Sequence, residues 1–167
     1  TRISDIAKHA KMSQGLVYHY FPNKEEIFST LIQYAFERMT AACRQLEQMN
    51  CSSKEKLIVA CQGLLEGFAK DGETSSYHLL IAQATASNAI PEKARQIIDQ
   101  NNQFTYSVME RIMLAGQQEG SIKTQNPKHQ AQLFWATING LAIHRFSHGD
   151  NSPPLPPELV TAIFLKE

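Results

Sequence analysis

The sequence predicts an all-α protein. Three observations carry that expectation: apolar residues recur at helical spacing along nearly the whole chain, no stretch alternates apolar and polar residues in strand fashion, and capping residues stand at the breaks. Ile3, Ile6, Ala7 and Ala10 follow the i, i+3, i+4, i+7 pattern, giving a helix of about two turns that ends near Lys11. Ser13 then serves as N-cap of a second short helix, with Met12 and Val17 at the positions where apolar side chains can staple its start. Pro22 stops that helix. Asn23 with Glu26 three residues on is a capping-box pattern that opens a long amphipathic helix through Ile27, Leu31, Tyr34, Ala35 and Met39 to about Gln48.

Residues 50–53 interrupt the periodicity, and a helix carrying Leu57, Cys61, Leu64, Leu65 and Phe68 runs to Asp71-Gly72. Another covers about residues 74–89. Pro91 suits the first position of the next helix, which carries Ile97, Ile98, Phe104, Val108, Ile112 and Met113 and ends at Gly120 as its C′ residue. Pro127 opens a helix through Leu133, Trp135, Ile138, Leu141 and Phe146 towards His148. Four prolines between residues 149 and 157 cannot continue it. Leu159, Val160, Ile163, Phe164 and Leu165 predict a final helix.

The chain has 167 residues, enough for one sizeable core or a small module joined to a larger one. With 43% apolar and 19% charged residues the composition is that of a globular protein. No apolar run suits a membrane span and no secretory leader is visible, so a cytoplasmic protein is expected. Sixteen basic residues balance sixteen acidic ones, so attraction to nucleic acid must come from a local surface. Cys43, Cys51 and Cys61 have no CxxC spacing and indicate neither a disulfide framework nor a zinc site. His144 and His148 stand one helical turn apart but lack a third ligand, and read as solvated histidines. No nucleophile elbow, P-loop or dinucleotide-binding glycine pattern occurs, so neither an enzyme nor a cofactor is expected.

Two short helices joined by a tight turn and followed by a long capped helix make a helix-turn-helix pattern, which can equally be plain helical core. The residues go further. The run Asp5-Ile6-Ala7-Lys8-His9-Ala10-Lys11-Met12-Ser13-Gln14-Gly15-Leu16-Val17-Tyr18-His19-Tyr20-Phe21-Pro22-Asn23-Lys24-Glu25-Glu26 closely resembles the signature of the TetR family of bacterial transcriptional regulators. That resemblance implies a DNA-binding module over residues 1–35 and a helical effector-binding and dimerisation domain over residues 36–167. Family members carry one more helix before the position of Thr1, so a truncated or incompletely observed N-terminus is expected. The chain departs from the family at Lys11, where Gly is usual because the turn favours φ > 0. It also departs at Gln14 and Leu16, where Lys and Thr or Ala are common.

The geometry of such a module assigns roles to named side chains. Ser13 caps the recognition helix, and Gln14, Gly15, Leu16, Tyr18 and His19 project from its first turns towards base edges and phosphates. Gln14 can pair with adenine and Leu16 can touch a thymine methyl. Lys24 resembles the family's phosphate-contacting Lys, and Ser4 offers a backbone contact. Val17 and Phe21 sit at core spacing, and Tyr18 and Tyr20 suit either packing or contact.

In the second domain Phe68, Phe104, Met109, Met113 and Trp135 suggest an apolar effector, while Gln83, Asn102, Tyr106 and Asn139 lie within apolar patterns and could orient it. The same residues also suit ordinary core. A homodimer is expected, because one recognition helix reads too few bases for specificity. The resemblance puts its interface on the helix from Pro127 to His148 and the final helix, with Ala136, Gly140 and Ile143 as the ridge. The expected function is ligand-responsive transcriptional regulation, in the form of a repressor released from a palindromic operator by a small molecule. The alternative is a helical small-molecule-binding protein or enzyme with a vestigial DNA-binding module.

Overall fold

The computed structural model describes residues 2–70, 73–149 and 155–166. Their helices are α1 (Ile3–His9), α2 (Gln14–Tyr20), α3 (Lys24–Gln48), α4 (Ser53–Lys70), α5 (Glu73–Ala86), α6 (Glu92–Gln118), α7 (Pro127–His148) and α8 (Pro157–Thr161). The expected stop at Asp71-Gly72 lies outside the described residues, as do Pro153 and Pro154. Among the described residues no helix is long and apolar enough to cross a membrane.

The breaks between helices are set by local hydrogen bonds. Asn23 Oδ1 accepts from the Glu26 amide at 2.8 Å and starts α3. The reciprocal half of the expected box is missing, because the Glu26 carboxylate pairs instead with Lys93 at the start of α6. Ser52 and Glu55 close a full capping box ahead of α4, which holds the Glu55 carboxyl below the usual carboxylate range. Asn126 Oδ1 accepts from the Lys128 and His129 amides, and Pro127 occupies the first turn of α7. Gly120, at φ +80°, ends α6: its amide donates to Gln117 O and the Ser121 amide to Gly116 O, the paired bonds of a Schellman turn.

Helices α3, α5, α6 and α7 pack on one another, with α4 and α8 closing the far end. Ile32, Ala35 and Phe36 of α3 meet Ile81 of α5 and Ala94 and Ile98 of α6 in one apolar cluster. A larger cluster joins Leu57 and Phe68 of α4, Val108 and Met113 of α6, Phe134 and Ile138 of α7, and Phe164. Met39 packs against both. The expected domain boundary at residues 35 and 36 thus falls inside α3, and Ile32 and Ala35 on its first side share a core with Ile81 and Ile98.

Three expectations need correction. Helix α5 ends at Ala86 rather than Ala89, and Pro91 is the N-cap of α6 rather than its first residue, with φ −55° and an extended ψ of 140°. The last apolar segment is helical only over Pro157–Thr161. Beyond that, Leu165 forms an isolated antiparallel bridge with Ile122, and the Lys123 amide donates to Phe164 O at 2.8 Å. Gly116 makes room for this return: a Cβ there would meet Ile122 Cδ1 at 2.4 Å and Ser53 Cβ at 3.1 Å.

Candidate functional site

Helices α1 and α2 bury only Ala7 and Val17, so nearly all their remaining surface faces solvent. Ser13 Oγ accepts from the Leu16 amide at 3.2 Å and fixes the start of α2. Gln14, Gly15, Leu16, Tyr18 and His19 are all exposed, and Lys24 stands exposed at the first position of α3. Ser4 is exposed on α1, beside a capping box in which Asp5 accepts from the Arg2 amide. A Cβ on Gly15 would touch no protein atom, so its missing side chain opens the backbone only towards the outside. Lys11 adopts φ +55°, the left-handed turn at which the sequence departs from Gly. Tyr18 and Tyr20 both project outward and are not core residues, whereas Val17 is buried and Phe21 half-buried. Over residues 2–26 Arg2, Lys8, Lys11 and Lys24 outnumber Asp5, Glu25 and Glu26 by one, and Glu26 is paired with Lys93, which leaves a slight local excess of positive charge on a neutral chain.

The second candidate site lies inside the helical bundle. A cavity of about 390 Å³ is lined by Met39, Leu46, Leu64, Met109 and Phe134 among others, with Arg38 and Thr74 at its polar part. A smaller cavity of about 220 Å³ adjoins it, lined by Thr85, Asn102, Thr105, Tyr106 and Asn139. Met39, His78, Ile81 and Trp135 border both. His78 is 6% exposed, lies edge-on to Phe68 and stacks on Trp135, and its Nδ1 stands 2.9 Å from Asn139 Oδ1. Burial lowers its pKa and outweighs the Asn139 bond, which acts the other way. Burial also raises the Tyr106 hydroxyl. Cys43 lines the larger cavity, but burial, helped by Glu47, pushes its thiol up to about 11, so it is no nucleophile near neutrality.

The model of bacterial regulatory proteins of the tetR family matches residues 1–31, the segment that forms α1, α2 and the start of α3. The HTH-type transcriptional regulator PksA of Bacillus subtilis is 26% identical over 142 residues, which span 84% of this chain and 66% of that protein. The likeness to the tetR family is thus carried by the first 31 residues, those of α1, α2 and the start of α3. The chain's fold agrees with solved TetR-type structures. The MbdR regulator of Azoarcus sp. CIB superposes with a TM-score of 0.78 at 17% identity, over 98% of this chain and 84% of that one. A transcriptional regulator of Saccharomonospora viridis solved in complex with choline gives 0.72 at 20% identity, over 99% and 88%.

Not every residue singled out for an effector meets the cavities. Met109 and Trp135 line the larger one, and Trp135, Asn139, Asn102 and Tyr106 the smaller. Phe68 is buried core beside His78, Met113 is buried core, Phe104 packs under the Arg44 guanidinium, and Gln83 is exposed on α5, so these four border neither cavity. His78 was not legible as a site residue, since its partner Asn139 is 61 residues away and no local spacing announces it.

The face of α7 opposite the core is apolar and exposed, with Leu133, Ile143 and Phe146 beside the small residues Ala136 and Gly140. Leu159 and Ile163 near the chain end are exposed as well. His144 and His148 stack at 4.3 Å on the same helix, and His148 Nδ1 is bonded to the His144 carbonyl oxygen. Among the described residues no group of three or more potential ligands could hold a metal ion.

Proposed function

We propose that the protein is a homodimeric, cytoplasmic transcriptional repressor that reads a near-palindromic operator with α2 and leaves it when a small molecule fills the cavities behind α3. The observation that carries this reading is α3 itself. Lys24, its first residue, is exposed, and Met39, fifteen residues on, borders both cavities. At about 1.5 Å per residue these points are about 22 Å apart on one continuous helix. A ligand that displaces Met39 therefore moves the base of the reading module. Operator half-sites lie about 34 to 36 Å apart, so a shift of a few ångströms spoils simultaneous docking of two recognition helices.

Gln14, Gly15 and Leu16 supply base contacts in this reading, Ser13 positions them, and Ser4, Tyr18, His19 and Lys24 contact phosphate or neighbouring edges. The exposed apolar face of α7 with Leu159 and Ile163 forms the dimer interface, because a monomer would leave that surface in water. The Saccharomonospora viridis neighbour was solved in complex with choline, which supports a ligand-binding role here. No reaction is assigned to the chain. Titration against genomic DNA fragments at low and moderate salt tests the proposal: a repressor retains a sequence-specific fraction as salt rises, whereas a protein with a vestigial module loses all binding together.

A further inference from the structure

The polar groups at the junction of the two cavities specify the chemistry of the molecule that fills them. Asn139 Oδ1 can only accept, so the neutral His78 ring carries its proton on Nδ1, and Nε2 is a bare acceptor. Among the described residues Nε2 has no partner, and no fully buried side-chain nitrogen or oxygen is left unsatisfied, so Nε2 reaches the cavity space that His78 borders. The Asn139 amide nitrogen, the Asn102 side chain and the Tyr106 hydroxyl likewise have no hydrogen bond among the described residues. By contrast, the hydroxyls of Thr85 and Thr105 bond to carbonyls of their own helices. A bare acceptor therefore stands beside several unused donors, all within one small space.

Charge is missing from that space. Among the described residues no ionisable side chain other than His78 and Tyr106 lines the smaller cavity, and neither is charged near neutrality. Arg38 borders only the larger cavity, is exposed, and is engaged by Tyr34. A carboxylate or ammonium group at His78 would lose its water without meeting a counter-charge, which costs more than neutral hydrogen bonds return. An uncharged hydroxyl or amide meets both the acceptor and the donors.

We propose that the two cavities form one effector site for an uncharged amphipathic molecule, whose apolar body fills the larger cavity and whose hydroxyl or amide head bonds His78 Nε2 and the Asn139 amide. This rests on the effector reading above. The chain's single tryptophan, Trp135, borders both cavities and reports occupancy by its fluorescence. The test is to titrate the full chain with 1-decanol, decanoate and decylamine, which share one apolar body and differ in head group. Decanol should bind at least tenfold more tightly than either ion, and His78→Phe or Asn139→Leu should reduce that preference at least tenfold while leaving the weak binding of decanoate unchanged. Circular dichroism of both variants verifies folding, and if one fails to fold the other reads the same contact. Equal or tighter binding of an ion, absence of decanol binding, or an unchanged preference in a folded variant would overturn the proposal. Specific DNA binding without decanol binding would sink the ligand class alone, whereas decanol binding that leaves DNA affinity unchanged would sink the effector reading alone.

Discussion

Replacing Gly140 by Glu separates the stability of the protomer from that of the dimer, because the two should move in opposite directions. A Cβ at Gly140 would meet nothing within 4 Å, so a longer side chain enters open space in the protomer. Within a helix Gly is about 1 kcal/mol worse than Ala and Glu only a few tenths worse, so the helix itself should gain about 0.5 kcal/mol. At a two-fold contact built on Ala136, Gly140 and Ile143 the same change brings two carboxylates into an apolar surface. A loss of about 3 kcal/mol is a modest figure for burying unpaired charge, and raises the dimer dissociation constant by more than about a hundredfold. Sedimentation velocity over a range of concentrations measures this, with circular dichroism to verify that helicity is kept. The variant should sediment as a folded monomer and lose operator binding, while Gly140→Ala should remain dimeric or nearly so. An unchanged sedimentation coefficient for Gly140→Glu at equal concentration would remove α7 from the interface.

Gln14→Ala should cost about 1 to 3 kcal/mol at particular bases, whereas Lys24→Ala should weaken binding to all sequences and flatten the salt slope, both readable by binding isotherms on single-base operator variants. Lys11→Gly should raise the midpoint of chemical denaturation by about 1 kcal/mol in equivalent stability, since Lys11 holds φ +55° and Gly meets no penalty there; an unchanged midpoint would mean the turn carries no strain. His78 has a lowered pKa in the folded state, so below the unfolded value of about 6.5 the unfolded chain takes up the proton first. Its contribution is therefore full above that pH and is lost as pH falls, and His78→Phe should flatten the decline in stability measured between about pH 7 and 5.

The legible parts of this molecule are those fixed within a few residues of chain. Ser13, Asn23 and Gly120 act on backbone groups no more than four residues away, so the helix ends they set could be read directly. The helix-turn-helix pattern of α1 and α2 was legible for the same reason, because it is one short continuous run. The cavity was not. Helices α5 and α7 distribute apolar and polar residues around the whole axis, and periodicity cannot tell which side of such a helix faces a cavity; hence Gln83, which is exposed, could not be distinguished from polar residues such as Asn139 that face inward. For α7 the reason is structural: Phe134, Trp135 and Ile138 serve the core while Leu133, Ile143 and Phe146 form a second apolar face. The pairing of His78 with Asn139, and the return of Leu165 to Ile122, depend on tertiary packing across many residues.

Linkage of cavity and operator through α3 makes a quantitative demand. If a ligand lowers operator affinity by some factor, operator must lower ligand affinity by the same factor. An operator selected from randomised DNA and a compound selected by its quenching of Trp135 are sufficient reagents. The measurement is the compound's dissociation constant with and without saturating operator, together with the operator's with and without saturating compound. Both should weaken, by equal factors of about 5 to 150. Compound affinity that is the same on free and DNA-bound protein would contradict this linkage.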